Sequence, residues 1–453
     1  MPADSTFGFG FTGGPDPNDP QQMQQFMSQL QHMFAAPTGG PVNWDLARQV
    51  AQGHLTGAPG GGFGFNLAGM LPGLTAGAGA PAPDDEQAKP VGDPSVTPFD
   101  RESVSEALRL ADLWLEPESA LPSGITTSVA WSRGEWLTKT MDVWRKLCDP
   151  VAARIVGSMT DLVPEEMRGQ MGPMSAMVSS LGGALFGTQL GTALGSLAAE
   201  VLSASDIGLP LGPAGTAALV PANIAGYGQG LELPDDQVRL YVALREAAHQ
   251  RLFSHVPWLR GHVLNAVETY AAGIRVDKEA VEEAIGRFDP MNPEGVQEIA
   301  LEGIFAPDDS PQQQAALARL ETALALVEGW VSFVVDRAAG DRLPEVVKLG
   351  EAFRRRRAAG GPAEQTFAAL VGLDLRPRKL REAAAVWEAL TEHRGVAGRD
   401  ALWGHPDLMP DVEAFADPEL FARTELDLGD LGFSELDSEA PEDPQRKKDD
   451  PES

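Results

Sequence analysis

Only one cysteine stands in the 453 residues. Cys148 therefore has no partner for an intramolecular disulfide, and a cysteine-based zinc site is excluded. Basic residues are few: 35 Lys and Arg face 65 Asp and Glu, a formal net charge of -30. A surface of that sign repels a phosphate backbone, so nucleic acid is not an expected partner. The N-terminus, Met-Pro-Ala-Asp-Ser, lacks the basic residues and apolar run of a secretory signal, and a cytoplasmic location is expected. No internal period marks a repeat protein.

One stretch lacks charge altogether. No Asp, Glu, Lys or Arg occurs from Gly169 to Ala199. Within it Gly183, Gly187, Gly191 and Gly195 recur every fourth residue, which puts them on one helix face. The length would suffice for a bilayer. Frequent Ser, Thr and Gln and poor basic flanks argue against a membrane span. The expected state is a buried helix whose glycine face lets another helix come very close, and a membrane is not an expected partner.

Three regions follow from composition. Residues 1–94 are rich in Gly, Pro and Gln and read as disordered, interrupted by two short helices at Gln21 to Phe34 and Val42 to Gln52. In the second, Trp44, Ala47, Val50 and Ala51 fall at helical spacing. Residues 95–425 carry the folded domain. Residues 426–453 form an acidic tail that reads as disordered. Inside the domain the spacing predicts helices beginning near Asp100, at Trp131 to Asp149, Pro150 to Leu162, Pro257 to Gly273, Asp277 to Phe288, Glu294 to Ile304, Ser310 to Asp336, Glu364 to Leu373 and Arg378 to His393. Val104, Leu108, Leu110, Ala111 and Leu113 are assigned to the core face of the first. Ala217 to Pro221 reads as a short strand, and Pro406 to Phe421 as loop and turn.

The chain is organised around Pro234 to Trp258. Asp235 or Asp236 can cap a helix there, and Pro257 suits the start of the next. Val238, Leu240, Tyr241, Val242, Leu244, Ala247, Ala248, Leu252 and Phe253 fall on nearly every face, the mark of a buried helix. Yet Arg245, Glu246 and His249 stand in its middle, and buried charges need partners.

The residues from Arg245 to His249 align with His-Glu-x-x-His, in which two histidines one helical turn apart bind zinc and the glutamate acts as general base. Glu246 and His249 match. Arg245 does not: a guanidinium stays protonated and offers no lone pair to a metal. His249, His255 and His262 crowd three of the seven histidines into fourteen residues. Glu268 follows His249 with eighteen residues between them, a spacing found for a glutamate third ligand. The metal reading takes Glu246 as base and His249, Glu268, His262 and Glu328 as candidate ligands. The structural reading makes Arg245, Glu246, Glu268 and Glu328 a buried ion-pair cluster with His249 hydrogen-bonded inside it. His255, at a helix boundary, reads as a surface residue.

Several segments carry a resemblance. They are Gln189-Leu-Gly-Thr-Ala-Leu-Gly195, Leu219-Val-Pro-Ala-Asn-Ile224, Leu244-Arg-Glu-Ala-Ala-His249, Val256-Pro-Trp-Leu-Arg260, Leu326-Val-Glu-Gly-Trp330, Arg354-Arg-Arg-Arg357, Leu370-Val-Gly-Leu-Asp-Leu375 and Trp403-Gly-His-Pro-Asp-Leu408. In this order, over about Phe99 to Phe421, the chain resembles a bacterial family of zincin-like, zinc-dependent metallopeptidases often called hydrolases. The resemblance implies a mainly α, zincin-like helical domain with little strand, and places the glycine helix inside a soluble domain. It implies zinc as cofactor and a peptide or protein as substrate. The departure at Arg245 opens a second functional reading, a catalytically inactive zincin-fold binding or scaffold protein.

Overall fold

The computed structural model describes residues 40–56, 92–161, 172–272, 274–276, 305–307, 311–358 and 379–424. The helices expected at Gln21 to Phe34, Asp277 to Phe288, Glu294 to Ile304 and Glu364 to Leu373, and the acidic tail, lie outside these residues.

The described chain is mainly helical. In order it forms α1 (Trp44–Thr56), α2 (Pro98–Leu115), β1 (Thr127–Ala130), α3 (Arg133–Asp161), α4 (Gly172–Ala198), β2 (Thr216–Leu219), α5 (Pro221–Leu231), α6 (Asp235–His255) and α7 (Pro257–Ala272). Strands β3 (Ile274–Val276) and β4 (Phe305–Pro307) follow, then α8 (Pro311–Ala339), α9 (Val346–Ala358), α10 (Leu380–Asp400), α11 (Val412–Ala416) and α12 (Pro418–Arg423). β1 and β2 pair in parallel, Thr127 opposite Thr216, and β3 and β4 pair antiparallel.

α6 is the hub, with α2, α5, α7, α8 and β2 packed around it. Its middle is buried without a break from Tyr241 to Leu252, as a helix apolar on every face requires. Its start differs from expectation. Pro234 is the N-cap and no side chain caps the helix; Asp235 and Asp236 lie in the first turn, where their charge still suits the helix dipole. Pro257 does begin α7.

α2 opens on a capping box. Thr97 Oγ1 accepts from Asp100 N, and Asp100 returns the bond to Thr97 N. Val104, Ala107, Leu108, Ala111 and Leu115 form its buried stripe. Leu113, assigned above to the core, is 60% exposed, because it lies two residues past Ala111 and so on the opposite side of the helix. Pro150 does not divide α3 in two: the helix runs through it, since a proline removes one internal hydrogen bond without obliging the chain to leave the helix. Gly395 breaks the regularity of α10 at φ 68° and ψ 178°. Pro406 to Phe421 is short helical turns rather than open loop.

The glycine face of α4 meets α1. A Cβ at Gly187 would lie 2.7 Å from Asn43 O, and one at Gly191 would lie 2.5 Å from Ala47 O and 2.8 Å from Val50 Cβ. One at Gly195 would lie 2.9 Å from His54 Cβ. Only glycine lets the two backbones approach so closely. Within the N-terminal region, therefore, α1 is a packed element: Trp44, Ala47, Val50, Ala51 and Leu55 are buried, and Trp44 Nε1 donates to Asp149 Oδ1 at 2.8 Å. Among the described residues no helix is long and apolar enough to cross a membrane.

Candidate metal centre and its arginine network

Three helices and one loop meet at the polar centre of α6. α6 supplies Arg245, Glu246 and His249, α8 supplies Glu328 and Ser332, and α9 supplies Arg356 and Arg357. The loop after α4 supplies Ser203, Ser205, Asp206 and Gly208.

Glu328 is the hub of the network and is 1% exposed. Arg245 Nη2 donates to its Oε2 at 2.5 Å, while Arg357 Nη2 and His249 Nε2 meet its Oε1 at 2.9 and 3.0 Å. Arg245 also donates to Ser332 Oγ at 3.3 Å and lies over the Phe353 ring. Burial would raise the Glu328 carboxyl, but Arg357 and Arg245 outweigh it and hold the group well below the usual carboxylate range. Burial opposes the charge of Arg245 as well, and Glu328 overcomes it so that its pKa is raised. An ionised carboxylate only accepts, so His249 Nε2 carries a proton toward it. Its Nδ1 is buried without a partner among the described residues.

Glu246 is turned to the loop. Its Oε2 accepts from Ser205 N at 2.9 Å, its Oε1 from Gln250 Nε2 at 2.9 Å, and the Ser203 side chain bonds it too. Burial raises its pKa more than His249 and these bonds lower it.

The loop is tied down from α9. Arg356 Nη1 donates to both Asp206 carboxylate oxygens, at 3.1 and 2.8 Å, and Arg356 Nη2 donates to Glu200 O. Arg357 Nη2 donates to Asp206 O as well as to Glu328. Gly208 adopts φ +77°, and a Cβ there would lie 2.7 Å from Glu328 Oε1. Both its backbone and its lack of a side chain suit the position.

Of the residues singled out by sequence, Arg245, His249 and Glu328 are brought into direct contact, with Glu246 beside them. Glu268 is not brought there: it lies exposed on α7, whereas His249 is 1% exposed. His262 is half-buried on α7 against Trp258 in a separate groove. His255 is exposed at the end of α6 and bonds Ser123 O at 3.0 Å, a helix-end residue as expected. Of the ion-pair cluster foreseen from sequence, Arg245 and Glu328 pair with His249 bonded between them, while Glu268 is absent, Glu246 is bonded to the loop instead and Arg357 is an added member. Arg251, 0% exposed and bonded to Asp112, Glu116 and Leu121 O, is a further buried cation of α6 that the motif reading passed over.

A catalytic zinc normally has three protein ligands and an open position. Among the described residues no group of three or more His, Cys, Asp or Glu side chains converges. Arg245 brings a fixed positive charge against Glu328, Nε2 of His249 carries a proton toward Glu328, and both Glu328 oxygens are taken. These residues do not fit a bound zinc.

The pH dependence follows from the same shifts. Glu328 and Asp206 both have folded pKa values below their ordinary ones; at Asp206, Arg356 and Arg357 outweigh the effect of burial. Their stabilisation is present above the ordinary carboxylate range, near about pH 4, and is lost as pH falls through the depressed values. Glu246 has the opposite sign: its contribution is greatest at low pH and declines as pH rises through its raised value. Acid unfolding followed by circular dichroism is expected to be shallower in Glu328→Gln than in the natural protein below about pH 4. Equal slopes would show that Glu328 does not govern the transition.

Comparison with known proteins agrees with this architecture. No curated protein matches the chain. A crystal structure from Chloroflexus aurantiacus, of a protein provisionally described as a hydrolase with a novel fold, superposes with a TM-score of 0.53 at 20% identity. The match covers 84% of this chain and 97% of that one, and it shows a shared fold. The family described as zincin-like metallopeptidase matches residues 82–422. That span holds the hub helix, Glu246, His249 and the glutamate that His249 faces, and the chain belongs to the zincin-like metallopeptidase family.

Proposed function

We propose that this chain is a zincin-fold protein whose metal position is held by an arginine–carboxylate network, and that it works by binding rather than by peptide hydrolysis. The observation that carries this reading is the 2.5 Å contact of Arg245 with Glu328. Arg245 occupies the position of the first metal ligand in the motif. The second guanidinium, from Arg357, brings the positive charge on Glu328 to that of a divalent cation. The charge balance of a metal site is kept, while the guanidinium of Arg245 offers no lone pair to a metal. Glu246, the residue in the general-base position, has its oxygens bonded to Ser205 N, Gln250 and Ser203, which leaves it ill placed to activate a water.

The second reading, a zinc-dependent metallopeptidase, is favoured by family membership and by the retained Glu246 and His249. It requires the Glu328 pairs to open and a third ligand to arrive.

Elemental analysis of the full chain purified at neutral pH is expected to give zinc far below one per chain, and no cleavage of casein or peptide libraries. Stoichiometric zinc with peptide cleavage abolished in Glu246→Gln would establish the second reading instead.

A further inference from the structure

A groove of about 290 Å³ lies between α7, α8 and the segment before α11. Leu326 lines it, two residues before Glu328 on α8. Two residues turn a helix by about 200°, so the groove opens on the far side of α8 from the arginine network. The groove is thus separate from the Glu328 site and does not depend on its function.

The groove has an apolar floor, with Trp258, Leu326, Trp403 and Met409 in its lining. Trp403 is stacked between Trp387 and Trp258, with centroids 5.2 and 6.2 Å away. These packed rings make the floor a rigid surface, and Trp258 Nε1 is fixed to Trp403 O at 2.8 Å.

Two opposite charges stand on different walls. Arg319, on α8, donates Nε to Ala315 O in its own helix and meets no carboxylate among the described residues. Asp411, on the other wall, accepts from Glu413 N and Ala414 N through Oδ1. Its Oδ2 has no partner among the described residues. Trp403 itself is buried, 2% exposed, and its Nε1–H has no partner among the described residues. Buried donors normally find an acceptor. His262 completes the rim; burial and the nearby Arg319 lower its pKa.

An apolar anion would meet Arg319 but face Asp411, and an apolar cation would meet the reverse mismatch. A ligand that carries both charges on an apolar body matches both walls and the floor. We infer that this groove binds a small apolar zwitterion of amino-acid or dipeptide size, with its carboxylate toward Arg319, its ammonium toward Asp411 and its side chains over the tryptophan floor.

Isothermal titration of the full chain with leucyl-phenylalanine tests this, with free phenylalanine and the N-acetylated and C-amidated dipeptides alongside. Saturable binding of the dipeptide or of phenylalanine is expected. Blocking either end should weaken it about ten-fold, as loss of a charge-assisted contact does. Arg319→Ala and Asp411→Asn should each weaken binding about five-fold or more on the same ground. Both side chains are exposed, and Asn retains the helix cap, so thermal unfolding of the variants should match the natural protein and separate a binding loss from a folding loss. Arg245→His should leave dipeptide binding unchanged, which keeps this test distinct from that of the metal position. Absence of saturable binding by any of these compounds, equal affinity for the blocked dipeptides, or insensitivity to Arg319→Ala would overturn the inference.

Discussion

Glu328→Ala is expected to destabilise the protein by about 3–5 kcal/mol, the cost of removing one partner from a buried ion pair. The carboxylate neutralises two guanidinium groups whose side chains are only 7% and 10% exposed, and it holds His249 Nε2. Its removal leaves both cations without their shared counter-charge, in a site that includes the Phe353 ring and Ser332. Ala also opens a cavity, which adds to the loss. The natural comparison is Glu351→Ala on α9. Glu351 pairs with Arg354 and Arg355, but in solvent, where such pairs contribute little. Urea unfolding should show a large fall in midpoint for Glu328→Ala and almost none for Glu351→Ala. Similar shifts for the two would mean that the network is not the buried hub described above.

The second large effect is expected at the crossing of α1 and α4. Gly191→Ala adds one methyl group, but it would lie 2.5 Å from Ala47 O and 2.8 Å from Val50 Cβ. The helices must separate, and overpacking of this kind costs about 1–3 kcal/mol. The gain in helix propensity from glycine to alanine, about 1 kcal/mol, works the other way. Gly226→Ala isolates that gain, since nothing lies within 4 Å of a Cβ there. The expected pattern is a stabilised Gly226→Ala and a destabilised Gly191→Ala in which limited proteolysis releases α1. If both variants were stabilised alike, the close crossing would not exist in solution.

The glycine helix also shows what a sequence makes legible. A four-residue period of glycine fixes one smooth face, and the close partner followed from it. The identity of that partner did not. α1 lies in a stretch whose overall composition reads as disordered, and its apolar residues gain their meaning only against the glycine groove. The same holds around α6. All-round apolar character marked the buried helix, and the rule that buried charges need partners singled out Arg245, Glu246 and His249. Glu328 was among the candidates. Glu268 was selected by chain spacing alone, and spacing does not determine which way a residue on the next helix points.

Arg357 was not singled out: the four consecutive arginines entered only as one of the segments that carry the resemblance. The signal was present in the register. Leu349 and Phe353 are buried on α9, and positions three and four residues beyond Phe353 continue that stripe. They are Arg356 and Arg357, the two arginines that reach the network, whereas Arg355 points to solvent. The pairing of Asp206 with Arg356 is less accessible from sequence, because it depends on a loop about 150 positions away along the chain.

The family relation and the arginine network describe one site from two sides. The scaffold retains the hub helix, the glutamate and one histidine of the zincin motif. On the proposed reading, Arg245 and Arg357 supply at Glu328 the positive charge that a metal ion would otherwise bring. A zinc titration of the natural protein beside Arg245→His tests this most directly. The account predicts no saturable zinc binding by the natural chain and a new site of one zinc per chain in Arg245→His, with His249 and Glu328 available as further ligands. Tight stoichiometric zinc binding by the natural protein, unchanged in Arg245→His, would contradict it.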